Sequence, residues 1–102
     1  MQKGFAPHQL KTLDERQLQY IIENDYPEEK KEQCRLELER RKLLKRIRFL
    51  LDVKFDFARR ASLATNPEVR ADFELKFFEV SKLIDECHER LAEIHKMEKK
   101  RG

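Results

Sequence analysis

The densest group of side chains able to bind a ligand is a basic block at residues 40–48, where six of nine residues are Lys or Arg. A helix that presents Arg41, Lys45 and Arg48 along one outward line could follow a phosphate backbone. The candidate basic patch contains five cations: Arg41, Lys42, Lys45, Arg46 and Arg48. Acidic residues flank the block, so a solvated, salt-bridged face is the favoured interpretation. An acidic protein partner also fits, and we keep these hypotheses open.

The histidines and cysteines do not form a metal-binding pattern. His88 and His95 are seven residues apart and Cys87 adjoins His88, but neither a CxxC nor an HExxH motif is present. On a helix, neighbouring residues point about 100° apart, so Cys87 and His88 cannot converge on one ion. We therefore predict no metal site and no cofactor.

Nucleophilic and acid–base chemistry has no recognisable arrangement either. Ser62 and Ser81 are the only serines, and neither has a histidine three or four residues away. Gly occurs only at Gly4 and Gly102, which excludes glycine-rich phosphate-binding loops and dinucleotide fingerprints from the interior. The carboxylates lie on charged helical faces, where no catalytic pair can be selected. We predict that the chain is not an enzyme.

Two apolar ladders dominate the elements that would position these residues. Near the C-terminus, apolar residues recur at steps of four and three, the repeat of a coiled-coil seam. This ladder consists of Phe73, Phe77, Val80, Ile84, Cys87, Leu91 and Ile94. The upstream ladder repeats every seven residues and consists of Leu36, Leu43, Leu50, Phe57 and Ala64. Each ladder predicts one long amphipathic helix.

A short break at residues 65–68 separates the ladders. Asn66 is a good helix cap and Pro67 is favoured at the first helical position, so one helix ends here and another begins. Such a tight connection folds two long helices back on each other. The sequence therefore predicts an all-α protein: a short N-terminal helix followed by a long antiparallel, coiled-coil-like hairpin that is possibly dimeric.

The predicted organisation is one domain with terminal extensions. Residues 1–11 have little periodicity and are expected to form a loose arm. A Thr12–Glu15 capping box starts the first of three helices, at about 13–24, 27–64 and 67–99. Together these make a single helical domain over residues 12–99, and residues 100–102 form a basic tail.

Four apolar residues fall outside both seams: Phe49, Val53, Leu75 and Phe78. In an antiparallel pair they lie at the same level, which predicts a second apolar patch at mid-hairpin. The first helix could cover it as core, or a partner could bind it as an interface hot spot. We leave both alternatives open.

These observations favour a small non-enzymatic protein-binding regulator, adaptor or assembly subunit that acts through the hairpin surface and self-associates. The alternative is a nucleic-acid-binding accessory protein that uses the basic block at 40–48. No apolar run approaches the roughly 20 residues that span a bilayer, and two cysteines provide no disulfide framework. We therefore expect a soluble cytoplasmic protein without membrane contact.

Overall fold

The computed structural model describes residues 4–101, which form four α-helices and no β-strand. The helices are α1 Pro7–Thr12, α2 Glu15–Glu23, α3 Glu28–Leu63 and α4 Pro67–Arg101. The two long helices, α3 and α4, pack against each other, and the predicted all-α helical hairpin is confirmed. Within residues 4–101, no helix is both long and apolar enough to cross a membrane.

The N-terminal segment is more ordered than the loose arm predicted for residues 1–11, of which 1–3 lie outside the described residues. Residues 7–12 form α1, which the sequence prediction missed. Just before it, the Phe5 N–H donates to Gln33 Oε1 at 2.7 Å, and Gln33 Nε2 donates to the Phe5 carbonyl at 3.1 Å. One side-chain amide of α3 thus satisfies both backbone groups of Phe5.

The start of α2 also differs from the prediction. Asp14, not Thr12, is its N-cap: Asp14 Oδ1 accepts the N–H of Gln17 at 2.8 Å, and Gln17 Oε1 accepts the N–H of Asp14 at 2.9 Å. Thr12 instead belongs to α1, where its hydroxyl donates to the Gln9 carbonyl. The predicted capping box therefore lies two residues too early, because α1 already occupies Thr12.

The C-terminal end of α4 extends further than predicted. The helix continues to Arg101, so most of the expected basic tail at 100–102 is helical. At its start, Asn66 Oδ1 accepts the N–H of Glu68 at 2.8 Å, as expected for a helix cap.

The described residues divide into two compact parts. The terminal part comprises residues 4–42 and 94–101, and the hairpin part comprises residues 43–93. The terminal part contains α1, α2, the beginning of α3 and the end of α4. The hairpin part contains only the remaining lengths of α3 and α4 and the connection between them.

The core of the terminal part lies where α1 and α2 pack on α3. Its buried residues are Leu10, Leu18, Ile21 and Cys34. Phe5, Leu13, Ile22, Tyr26 and Leu38 pack around them. Leu18 and Cys34 are fully buried, so two short helices suffice to cover this stretch of α3.

The core of the hairpin part is the predicted seam. Ile47 and Leu50 of α3 bury against Val80, Ile84 and Cys87 of α4. Towards the connection the Phe57 and Phe73 rings meet at 6.3 Å between centroids. All seven residues of the C-terminal ladder are buried or half-buried, which confirms the heptad prediction for α4.

Candidate protein-binding surface

The structure removes Arg41 from the predicted basic patch. Its Nε lies 2.8 Å from Glu37 Oε2, and its Nη2 donates to the Leu10 carbonyl at 3.0 Å. Glu37 is only 4% exposed, and Arg40 Nη1 contacts its other oxygen at 2.8 Å. Arg40 also pairs with Glu98. Arg41 therefore neutralises a buried carboxylate and holds the end of α1, so the predicted outward line of Arg41, Lys45 and Arg48 is wrong.

The other cations of the predicted patch are exposed: Lys42, Lys45, Arg46 and Arg48. Lys45 makes a further interaction of its own. These four residues do not share one side of α3. At about 100° per residue, Arg48 points well away from Lys42 and Arg46. The block is therefore a set of cations distributed around a helix.

The four predicted partner-binding residues also separate. Phe49, Leu75 and Phe78 are exposed, Phe49 at 66% and Phe78 at 67%. Val53 is half-buried and packs against the hairpin core. Neither Phe49 nor Phe78 is part of the core formed by the described residues.

The direction of each side chain follows from the helical repeat. We count the angular position around α3 from Leu50, at about 100° per residue. Leu51 and Phe55 then lie on the side of increasing angle, and Phe49 lies on the side of decreasing angle. From Ile84, the same count puts Phe78 on the side of increasing angle and Leu83 on the opposite side. In an antiparallel pair of right-handed helices, the two sides of increasing angle adjoin. Phe49 and Phe78 therefore lie on opposite flanks of the hairpin.

We name the two flanks by these rings. The Phe78 flank consists of Leu44, Arg48, Leu51, Phe55, Phe78, Ser81 and Asp85. The Phe49 flank consists of Phe49, Val53, Asp72, Lys76 and Leu83. Leu75 belongs to neither, because it lies on the face of α4 that is turned away from α3.

Cation–ring contacts agree with this division. Lys54 Nζ lies 5.1 Å from the Phe77 ring centroid, and both residues fall on the Phe78 side of their seams. Lys76 Nζ lies 6.0 Å from the Phe57 centroid and 5.7 Å from that of Phe73, and all three fall on the Phe49 side. Lys76 also pairs with Asp72, so these two charges of the Phe49 flank are engaged within the hairpin.

Phe55 is the residue that the sequence analysis missed. It is 65% exposed and lies in the register of the hairpin within one helical turn of the level of Phe78. The Phe78 ring packs edge-on against Phe77, with centroids 5.7 Å apart. The Phe78 flank therefore presents two exposed rings, one from each helix, and Leu51 and Phe77 on the same side of their seams are half-buried. Counting angular positions to both sides of the seam would have identified Phe55 from the sequence.

Charge is distributed unevenly over the hairpin part. Residues 43–63 of α3 carry six Lys or Arg and two Asp, whereas residues 67–93 of α4 carry eight Asp or Glu and four Lys or Arg. One helix is thus basic and its neighbour acidic. A surface formed by both helices has a positive edge and a negative edge.

The remaining candidates for metal binding or catalysis are the two histidines of α4, Cys87 and the two serines. His88 and His95 are exposed, and Cys87 is buried in the seam. Among residues 4–101, no three or more His, Cys, Asp or Glu side chains are grouped so as to hold a metal ion. The Ser62 hydroxyl donates to the Arg59 carbonyl at 2.7 Å and the Ser81 hydroxyl to the Phe77 carbonyl at 2.9 Å, so both serines bond to their own helix.

The surroundings of the Cys34 thiol alter its acidity. Burial in the terminal core raises its pKa, and the neighbouring Glu37 carboxylate raises it further. Both effects disfavour the thiolate. Cys34 therefore acts as a small apolar side chain of the core.

Comparison with known proteins adds no relative. No protein-family model, no curated protein and no solved structure shows a significant match to the chain.

Proposed function

We propose that this chain is a small non-enzymatic protein-binding subunit, acting as a regulator, adaptor or assembly component through the Phe78 flank. The observation that carries the proposal is the pair of exposed rings, Phe55 and Phe78, one on each helix of the hairpin. Aromatic side chains with neighbouring apolar surface are typical anchors of protein interfaces. Burying each ring would contribute about 1.5–3 kcal/mol before the costs of association.

The helical composition of this flank favours a helical partner. Leu51 and Phe77 are half-buried, Phe55 and Phe78 are exposed, and the helical repeat places the first two nearer the seam. An amphipathic helix places apolar side chains every three or four residues and can pack against such a surface. We therefore propose that the ligand presents an apolar helical face.

Nucleic-acid binding is the competing proposal, and the charges favour it less. Arg41 is held by Glu37 and the Leu10 carbonyl, and the exposed cations of α3 lie beside an acidic stretch of α4. A phosphate backbone near both helices would meet repulsion as well as attraction. A protein partner can carry both charges and match both helices.

Two free cysteines support the proposal that the protein works in a reducing compartment such as the cytoplasm. Cys34 and Cys87 are both unpaired and buried. Free thiols persist most readily where glutathione keeps them reduced.

Site-specific photo-crosslinking tests the proposed surface. A photoreactive phenylalanine replaces Phe55, Phe78 or, as the matched control, Phe49, and each variant is irradiated in an extract of the source cells. We expect the variants at positions 55 and 78 to give the same polypeptide adduct and the variant at 49 not to give it. The adduct protein is then identified by mass spectrometry, purified and titrated with the unmodified chain.

The outcomes separate the proposals. A shared adduct whose purified protein binds the chain, and whose binding weakens by at least about tenfold with Phe78→Ala, supports the proposed surface. Adducts that disappear on nuclease treatment favour nucleic-acid binding instead. Equal adducts from all three positions would show that the Phe78 flank is not the contact surface.

A further inference from the structure

We propose that the occupant of the Phe78 flank is a second copy of this chain, arranged so that α3 of one copy lies antiparallel over α4 of the other. This inference rests on the proposed function and specifies its partner. Two hairpins that meet in this way form a symmetric four-helix bundle around a two-fold axis parallel to the helices.

The charges of the two helices select this arrangement. Within residues 43–93, α3 has a net excess of Lys and Arg and α4 a net excess of Asp and Glu. A two-fold axis parallel to the helices places basic α3 over the partner's acidic α4, twice. An axis perpendicular to the helices would instead place α3 over α3 and α4 over α4, with like charges facing each other. Only the first arrangement is complementary.

The apolar residues agree with the same register. Leu50 and Val80 belong to one buried cluster of the hairpin. With these two residues set at one level, Phe55 lies within a turn of the level of Phe78. Rotation about the two-fold axis leaves each residue at the same level along the helices and places α3 of one copy opposite α4 of the other. Phe55 of each copy then meets Phe78 of the other copy. The symmetric contact therefore covers both exposed rings of both copies.

Two exposed charges next to the rings complete the pairing. Arg48 lies on α3 and Asp85 lies on α4. Within residues 4–101, neither is engaged in an ion pair. In the antiparallel register Arg48 of each copy lies near Asp85 of the other copy. Opposite charges therefore meet at both of these contacts.

The Phe49 flank is a poorer surface for a second copy. Lys76 lies over the Phe57 and Phe73 rings on that flank and is paired with Asp72. Asp56 is likewise paired with Arg60 at 2.8 Å. A partner there would have to displace the Lys76–Asp72 and Asp56–Arg60 pairs, whereas Arg48 and Asp85 beside Phe78 make no ion pair among the described residues.

A mixing experiment with two charge-reversal variants tests this arrangement. Arg48→Glu and Asp85→Arg each create two like-charge contacts in their own homodimer, so each should self-associate at least about tenfold more weakly than the unmodified chain. A 1:1 mixture of the two variants restores opposite charges at both contacts. Sedimentation equilibrium should show that the mixture dimerises within about threefold of the unmodified chain.

The matched control uses the same charge changes on the Phe49 side of the hairpin. Arg46→Glu and Glu79→Arg alter net charge equally, and both residues are exposed. Each control variant, alone or mixed, should dimerise within about twofold of the unmodified chain. Circular dichroism verifies that all four variants remain helical, which we expect because no substituted residue is buried.

Three results would overturn the inference. The unmodified chain could stay monomeric up to its solubility limit, the single variants could dimerise as tightly as the unmodified chain, or the mixture could remain as weak as its components. None of these results would refute protein binding by the Phe78 flank, because the photo-crosslinking experiment tests that with any polypeptide. A crosslinked adduct of a different protein would then identify the partner.

Discussion

The terminal part and the hairpin part bury helix α3 to different extents. In the terminal part, α1 and α2 cover α3, and Leu18 and Cys34 are fully buried. In the hairpin part α3 packs against α4, and eight of the ten exposed large apolar side chains lie there.

The difference shows what two helices alone can bury. A pair of helices covers one seam on each and leaves the flanks open to water. Two short additional helices cover a second face of α3 in the terminal part, and Tyr20 is the one exposed aromatic residue among those described there. In the hairpin part the rings of the Phe78 flank are exposed, and we propose that a partner covers them.

The largest expected effect tests the hairpin seam itself. Ile84→Asp places an unpaired charge at a buried position and should destabilise the fold by more than about 3 kcal/mol or unfold it. Leu83→Asp, the same change at the adjacent exposed residue, should cost less than about 1 kcal/mol. Urea denaturation followed by circular dichroism measures both. Equal losses would mean that the register assigned to α4 is wrong.

The next prediction compares the two parts directly. Leu18→Ala removes a fully buried side chain from the terminal core and should cost about 2–5 kcal/mol. Phe55→Ala removes a larger but exposed side chain and should change the stability of the monomer by less than about 0.5 kcal/mol. Thermal melts at low protein concentration, where association is minimal, provide the comparison. A large loss from Phe55→Ala would show that the ring is core.

A smaller effect distinguishes the two kinds of cation in the basic block. Arg41→Met keeps a long side chain but removes the partner of buried Glu37 and the donor to the Leu10 carbonyl, and should cost about 1–3 kcal/mol. Lys42→Met, its exposed neighbour, should cost less than about 0.5 kcal/mol. Chemical denaturation measures both variants. Similar small values would show that Arg40 alone neutralises Glu37.

The smallest effect is a pH dependence at Cys34. Because its pKa is raised in the folded chain, the unfolded chain loses the thiol proton first as the pH rises. The stabilisation is therefore complete below the ordinary thiol pKa and is lost as the pH rises through the folded value. Relative to Cys34→Ala, the unmodified chain should lose part of its stability advantage between neutral pH and pH about 10. A constant difference would contradict the shift.

The sequence predicted the elements that repeat and missed those that depend on single contacts. The heptads from Phe73 to Ile94 were sufficient to identify α4 and its seam, because burial imposes one period over many turns. Helix α1 has only six residues, too few for a period, and is accompanied by contacts from Gln33 and Arg41 that lie far along the chain. No local pattern could reveal them.

The candidate surface was predicted in part. Exposed Phe49, Leu75 and Phe78 follow from their positions outside the seams. The prediction failed when it grouped residues by level alone, because level along a hairpin does not distinguish its two flanks. When the direction of rotation around each helix is also counted, Phe49 and Phe78 fall on different flanks and Phe55 falls on the Phe78 flank. The role of Arg41 could not be predicted, since it depends on the burial of Glu37.

The most direct test of the central claim compares the two flanks with one substitution each. Phe78→Asp and Phe49→Asp introduce the same charge at equally exposed rings, 67% and 66% exposed. Sedimentation equilibrium of both variants should show self-association at least about tenfold weaker for Phe78→Asp and within about twofold of the unmodified chain for Phe49→Asp. Equal weakening by both variants, or no weakening by Phe78→Asp, would contradict the claim that the Phe78 flank is the contact surface.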